Sequence, residues 1–151
     1  MSLKVRIQED VKQAMRSRAR ERLGALRLVC AAIKQKEVDE RIDLTDEQVL
    51  AVLDKMVKQR RESLEQYQQA GRNDLVVKEQ FELEVIRGYL PEPLAREELA
   101  GLIEAAIRTL GATGVRDMGA VMNALRSQVQ GRADMKAVSE AVKAQLSSQI
   151  A

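Results

Sequence analysis

The 151-residue chain is predicted to be all-α, and three features of the sequence lead to that prediction. Apolar residues recur at three- and four-residue spacing over nearly the whole chain, and no strand-like alternation of useful length is present. Aromatic residues make up only 2% of the sequence. The core must therefore be built from Leu, Ile, Val, Ala and Met, which suit helix-on-helix packing. Both prolines lie within residues 91–93, which leaves the rest of the chain free for long helices.

Three helical patterns fill the first half of the chain. Residues 3–18 place their apolar side chains on one face, and a second pattern over residues 23–37 loses its apolar face at the end. Thr45 and Gln48 are spaced as a capping box, which predicts the start of a third helix. That helix is predicted to be long, roughly 25 residues, and to end before Gly71, a residue suited to the position after a helix.

A proline-containing joint separates two predicted domains. Asp74 is predicted to cap a fourth helix, which ends just before residues 91–93. Proline fixes φ and disfavours a helical conformation in the residue before it, so Pro-Glu-Pro predicts a stiff, non-helical linker. We expect an N-terminal helical domain over residues 1–90 and a small C-terminal bundle of three helices over residues 94–151.

Side chains that commonly carry out chemistry are scarce. The chain has no histidine, the commonest general base and a frequent zinc ligand. Cys30 lies on an apolar helix face, which favours a structural thiol over a nucleophile. Glu79, Glu82 and Glu84 could act as acids or bases, but a solvated acidic face is the preferred interpretation. No Walker or dinucleotide-binding motif is present. We expect no catalytic residue, no metal site and no cofactor.

The longest wholly apolar run, Leu28–Ile33, has six residues, far fewer than a membrane span requires. The first residues have no apolar core of a signal peptide. The sequence therefore predicts a soluble, cytoplasmic protein without a membrane partner.

Positive charge is concentrated in the N-terminal part of the chain. The formal net charge is +2, but residues 1–41 alone carry +5. One cluster surrounds the junction of the first two helices and consists of Arg16, Arg18, Arg20, Arg22 and Arg27. A second lies in the long helix and consists of Lys55, Lys58, Arg60 and Arg61, of which Lys58 and Arg61 share a face. Arginine suits bidentate phosphate contacts. Each cluster by itself is equally consistent with a solvated helix face.

A third basic motif lies between residues 131 and 136. Gly131 can end one helix, and Asp134 can cap the next. Arg132 and Lys136 bracket that cap, although cations are unfavourable at a helix N-terminus. An anion held there would explain them, and two solvated side chains are the alternative. With so few aromatic residues, any RNA partner would be held through its phosphates and shape rather than by base stacking.

Several stretches together resemble the YqeY-like family over essentially the whole chain, with a methionine at 135 where many relatives are expected to have a small residue. The matching stretches are Glu21-Arg22-Leu23-Gly24, Ala32–Asp39, Lys58–Ser63, Gly71-Arg72, Tyr89-Leu90-Pro91, and Gly131–Asp134 with Val138. The resemblance implies a C-terminal domain similar to the tail of the B subunit of tRNA-dependent glutamyl/aspartyl amidotransferase. That tail is implied to grip tRNA, while catalysis occurs in other domains.

The resemblance implies a non-catalytic tRNA-binding or tRNA-associated accessory protein. The partners it implies are tRNA or another structured RNA, and amidotransferase or synthetase subunits. One alternative is a component that supports amidotransferase activity, a carbon–nitrogen ligation with glutamine as amide donor. Another is a helical protein-interaction module. The candidate RNA-binding residues are Arg16, Arg18, Arg20, Arg22, Arg27, Lys58, Arg61, Arg132 and Lys136.

Overall fold

The computed structural model describes residues 1–148, and these contain seven α-helices, one short 3-10 helix and no strand. The prediction of an all-α protein is confirmed. The α-helices are α1 (Leu3–Arg16), α2 (Arg20–Glu40), α3 (Asp46–Gln69), α4 (Asn73–Arg87), α5 (Arg96–Leu110), α6 (Met118–Val129) and α7 (Met135–Ser148). The 3-10 helix is Val115–Asp117. The chain divides into two compact units, Met1–Leu90 and Pro91–Ala151, each with its own apolar core.

All four helices of the first unit contribute to one core. Ile7 of α1, Leu26 of α2, Leu53 of α3 and Ile86 of α4 are each fully buried or nearly so. Burying a large aliphatic side chain contributes about 1.5–3 kcal/mol, so this apolar contact is the main force that holds the four helices together. The outer faces of the helices are left to carry charge.

Two of the predicted helix boundaries in this unit are confirmed. The Thr45 hydroxyl accepts a hydrogen bond from the Gln48 amide, and the Gln48 side chain accepts one from the Thr45 amide. This capping box satisfies two backbone donors that a helix start would otherwise leave unpaired. Gly71 follows α3 with φ of 69°, a left-handed conformation that glycine adopts at little cost.

The prediction that Asp74 caps α4 is wrong. The helix begins one residue earlier, at Asn73, and its N-terminus has no side-chain cap. The Asp74 carboxylate instead accepts hydrogen bonds of 3.2 and 3.1 Å from the guanidinium of Arg72. Inside the first turn the carboxylate still interacts favourably with the helix dipole. The local competitor, an arginine two residues earlier, decided its role.

A buried carboxylate joins three parts of the first unit. Glu37 on α2 accepts a 2.6 Å bond from the Lys4 ammonium on α1 and a 3.0 Å bond from the Leu44 amide, which precedes α3. The pKa of Glu37 is lowered, first by the bond from Lys4 and then by the bond from Leu44. The pKa of Lys4 is raised, chiefly by the same ion pair. The charged form of each group is therefore stabilised by folding.

Glu37→Gln should lower the urea midpoint of unfolding at neutral pH, because the lost charge leaves Lys4 without its partner. A carboxyl group with a lowered pKa stabilises the fold above its unfolded pKa, close to the ordinary value of 4.5. That contribution disappears as the pH falls through the lowered folded pKa. The gap between wild type and variant should therefore narrow on acidification. Urea titrations at several pH values measure it, and a gap independent of pH would contradict the assignment.

The second unit packs α5, α6 and α7 around the fully buried Ile103, Leu125 and Leu146. Its α6–α7 turn contains Gly131, with φ of 76°. The predicted cap of α7 is present, because Asp134 Oδ1 accepts a 3.3 Å bond from the Lys136 amide. The same turn thus has a glycine in the left-handed conformation and a capped helix start, as the sequence predicted.

Candidate nucleic-acid interface

The turn between α1 and α2 contains an arginine in a conformation that favours glycine. Arg18 has φ of 56°. The Arg18 amide donates to the Met15 carbonyl at 3.3 Å, and the Ala19 amide donates to the Ala14 carbonyl at 3.0 Å. This bonding closes α1 as a Schellman motif, whose left-handed position is usually glycine. The backbone is strained where a charged side chain is displayed, which is a pattern common at functional sites.

The first turn of α2 departs from the usual rules in two further ways. Ala19 precedes the helix and supplies no side-chain cap. Arg20 and Arg22 lie in the first turn, where the positive end of the helix dipole disfavours cations, and Glu21 is the only acidic residue there. A bound anion would reverse this unfavourable arrangement, because exposed backbone amides and guanidinium groups would then share one negative partner.

Most arginines of this cluster are free of acidic partners. Arg16, Arg18, Arg20 and Arg27 are exposed, and within residues 1–148 none of them forms an ion pair with a carboxylate. Arg22 differs, because its Nη2 lies 3.9 Å from Asp10 Oδ2. The four free residues define the arginine cluster discussed below: Arg16, Arg18, Arg20 and Arg27.

Arg22 belongs to a network within the first unit. The buried Tyr89 donates a 2.5 Å bond from its hydroxyl to Asp10, the same carboxylate that faces Arg22. Arg6 lies over the Tyr89 ring, 5.0 Å from its centroid. Burial and then the bond to Asp10 raise the pKa of Tyr89, so the phenol stays protonated. Asp10 is thereby fixed in place, and Arg22 is directed in part toward the protein.

The second basic group is divided between surface and interior. Lys58 and Arg61 are exposed on α3, and neither forms an ion pair with a described carboxylate. Arg60 instead faces α4, where its Nε lies 3.3 Å from the Glu82 carboxylate and both side chains are largely buried. The sequence spacing separated Arg60 from the shared face of its neighbours but did not reveal its partner.

The interpretation of the α4 glutamates as a solvated face is wrong for two of them. Glu82 is buried against Arg60, and Glu79 is half-buried beside it. Burial, followed by the charge of Glu82, raises the pKa of Glu79. Glu84 is exposed. These carboxylates belong to the α3–α4 contact, and no group of three or more metal-ligating side chains occurs within the described residues.

The third basic motif serves the fold of its own unit. The Nε of Arg132 donates a 3.0 Å bond to the Glu92 carbonyl, and the Leu94 amide donates a 2.8 Å bond to the Arg132 carbonyl. These bonds attach the segment before α5 to the α6–α7 turn. Lys136 is exposed. Because Asp134 already accepts from the first turn of α7, an external anion would have to compete with that carboxylate.

The chemistry available at these surfaces is electrostatic. Burial raises the pKa of the Cys30 thiol, so this side chain is a poor nucleophile. Tyr89 is buried, and Tyr67 and Phe81 are half-buried, so none of the three offers a fully exposed ring on which bases could stack. Within the described chain, no helix combines the length and hydropathy that crossing a bilayer would need. The arginine cluster can hold phosphates without reading bases.

Comparison with known proteins gives the family. The model of the YqeY-like protein family matches residues 4–146, almost the entire chain. The chain belongs to the YqeY-like family. The arginine cluster, the Arg60–Glu82 pair and the α6–α7 turn all lie within the region that matches the family, so the candidate interface is part of the family's own domain.

Fungal relatives named "Altered inheritance of mitochondria protein 41, mitochondrial" are similar to this member of the family. The one from Pyrenophora tritici-repentis is 33% identical over 141 residues, which cover 91% of this chain and 77% of that protein. The one from Eremothecium gossypii is 37% identical over 110 residues, or 71% of this chain and 60% of that protein. The one from Lachancea thermotolerans is 36% identical over 93 residues, 60% of this chain and 50% of that protein.

The prediction of a cytoplasmic location is contradicted by these relatives, which are named as mitochondrial proteins. The prediction rested on the lack of an apolar signal-peptide core. That observation addresses secretion only, because mitochondrial transit peptides are amphipathic and rich in arginine and serine rather than apolar. The physical argument therefore did not reach the conclusion drawn from it.

Proposed function

We propose that this YqeY-family protein is a non-catalytic RNA-binding protein that holds tRNA, or another structured RNA, through the arginine cluster. The observation that carries the proposal is the α1–α2 turn. There, four exposed arginines lack acidic partners, and Arg18 adopts a left-handed conformation that displays its charge at the expense of local stability. Guanidinium groups bind phosphate oxygens bidentately, and an RNA backbone presents many of them.

The remaining chemistry supports binding rather than catalysis. Histidine is absent from the chain, and the only thiol has a raised pKa. The half-buried acids of α4 pack beside Arg60 rather than face a cleft. The proposal therefore assigns the protein an accessory role beside an enzyme, in keeping with the resemblance of its C-terminal part to an amidotransferase tail.

Filter binding of unfractionated tRNA across a salt series tests the proposal. We expect binding at low salt that weakens steadily as salt rises, because phosphate contacts release counterions. Absence of binding at low salt would refute it. Arg132→Ala combined with Lys136→Ala tests whether the second unit contributes, and Arg132 requires a check of thermal stability because it also bonds to Glu92.

Arg18→Gly should stabilise the protein while weakening tRNA binding. Relief of the left-handed strain is offset in part by the greater freedom of glycine in the unfolded chain, so we expect a gain of about 0.5–1 kcal/mol. Loss of one phosphate contact should reduce tRNA affinity about threefold. Urea denaturation and filter binding measure the two effects on the same preparation.

Arg41→Gly is the matched control for that variant. Arg41 has the same φ of 56° and is exposed, but it follows α2 at the opposite end, roughly 30 Å away at 1.5 Å per residue. It should give a similar gain in stability and leave tRNA affinity unchanged. Equal losses of affinity from both variants would show that only net charge matters and would contradict a localised interface.

A further inference from the structure

The outer face of α2 carries apolar residues that the fold leaves uncovered. The core-facing side of this helix holds Ala25, Leu26, Val29 and Ile33. On the other side Leu28 is 45% exposed and Val38 is 59% exposed. A surface helix normally places charged and polar residues opposite its buried face. The RNA proposal does not explain these apolar residues, because phosphates offer them no partner.

Small and basic residues repeat along this face at seven-residue spacing. Gly24, Ala31 and Val38 form one row, and Arg27 and Lys34 form the row beside it. Seven residues make almost two helical turns, so each row runs nearly straight along the helix. An additional side-chain carbon at Gly24 would meet no atom within 4 Å, which leaves room for close approach. We call this face, from Gly24 to Val38, the α2 seam.

The seam ends in an open depression of about 290 Å³. Val38 and Ile42 give it apolar walls, and Ile42 is 41% exposed. Lys34 and Arg41 add positive charge to its lining. The two carboxylates that also line it, Glu37 and Asp43, lie 2.6 and 3.9 Å from the Lys4 ammonium, so their charge is compensated from within the unit.

These features match a helix better than an RNA strand. Apolar and small residues at heptad spacing, flanked by charges of one sign, are what a packed helical partner of the opposite charge requires. A second copy of this chain would place Arg27 and Lys34 against like charges, which is unfavourable for either orientation of two α2 helices. The partner that fits is therefore acidic, helical and a different protein.

We propose that the α2 seam docks an acidic amphipathic helix of a partner protein, with one large apolar side chain of that helix entering the depression beside Val38 and Ile42. The seam from Gly24 to Val38 is roughly 21 Å long at 1.5 Å per residue, so a helix of about 18 residues covers it. Glutamates seven residues apart on that helix pair with Arg27 and Lys34. This surface is additional to the arginine cluster and does not depend on RNA binding.

The test uses the full chain and a synthetic peptide of about 18 residues, with glutamate at every seventh position and leucine and alanine along the same face. A scrambled peptide of identical composition is the control. Fluorescence anisotropy should show binding at least about tenfold tighter for the designed peptide. Equal binding of the two peptides would overturn the proposal, because charge alone would then account for the interaction.

Two valines provide matched variants. Val38→Ser should weaken peptide binding about tenfold, whereas Val77→Ser, at a valine that is 66% exposed on α4, should leave it unchanged. Both valines are exposed, so neither change is expected to unfold the protein, and thermal denaturation verifies this. No effect of Val38→Ser on the peptide would overturn the proposal. An equal loss of tRNA affinity in Val38→Ser would assign the seam to RNA instead.

Charge exchange gives an independent readout. Lys34→Glu should weaken binding of the glutamate peptide and restore it for a peptide with lysine at the facing position. Failure of this rescue would overturn the proposed pairing. Sedimentation equilibrium of the chain alone addresses self-association, and a dimer that Val38→Ser dissociates would make a second copy the occupant and overturn the proposal as well.

Discussion

Replacing Arg16, Arg18, Arg20 and Arg27 with glutamine is expected to weaken tRNA binding about 100-fold at moderate salt. A single exposed charge contact contributes about 0.2–1 kcal/mol, and guanidinium–phosphate bonds lie at the upper end of that range. Four such contacts therefore account for about two powers of ten in affinity. Arg22 is left unchanged because it faces Asp10 at 3.9 Å.

The same variant should also change how binding depends on salt. Each phosphate contact contributes roughly 0.7–0.9 to the slope of the logarithm of affinity against the logarithm of salt concentration. Removing four contacts should therefore make the slope shallower by about 3. Filter binding at five or six salt concentrations measures this slope, and it counts lost contacts even if the affinity at one condition is affected by other causes.

Arg87, Arg96, Arg116 and Arg126, replaced together by glutamine, form the matched control. All four are exposed, and within residues 1–148 none of them pairs with a carboxylate. Either set of substitutions lowers the formal net charge from +2 to −2. If the control loses as much affinity as the cluster variant, binding reflects overall charge and the proposed interface is wrong.

Local sequence signals predicted the helices well where the signal had no local competitor. Thr45 with Gln48 and the glycine at 71 act through backbone geometry within a few residues, and both behave as expected. Asp74 has the chemistry of a cap but lies two residues after Arg72, and the ion pair prevailed. A pattern rule for helix starts does not weigh such a pair.

The interface was predictable in composition but not in geometry. The spacing of arginines between residues 16 and 27 shows that charge is concentrated there. It does not show that Arg18 adopts φ of 56°, because that conformation results from how α1 closes against α2. Likewise, the Arg60–Glu82 pair joins residues 22 positions apart on two helices, a contact set by tertiary packing. The α2 seam became visible only once the buried side of that helix was known.

Leu53→Ala is expected to destabilise the first unit by about 2–5 kcal/mol. Leu53 is fully buried on α3 within the core shared by all four helices of this unit. Its truncation loses transfer free energy and leaves a cavity that the surrounding side chains fill only in part. Since small domains have a total stability of about 5–15 kcal/mol, this one change removes a large part of it.

Tyrosine fluorescence reports on this unit selectively, because the chain has no tryptophan and both tyrosines, Tyr67 and Tyr89, lie within Met1–Leu90. Urea titration followed by this signal should show the loss for Leu53→Ala. Leu28→Ala, at a leucine 45% exposed on α2, should change stability by no more than about 0.5 kcal/mol. Equal effects of the two variants would contradict the assignment of the core.

The same pair of variants separates folding from binding. Below its unfolding midpoint, Leu53→Ala keeps every residue of the arginine cluster and of the α2 seam, so it should bind both tRNA and the acidic peptide with unchanged affinity. Leu28→Ala keeps the fold but removes an apolar side chain of the seam, so it should weaken the peptide alone. A protein whose two surfaces are distinct must show these opposite patterns, whereas a single shared surface would make tRNA and peptide affinities change together.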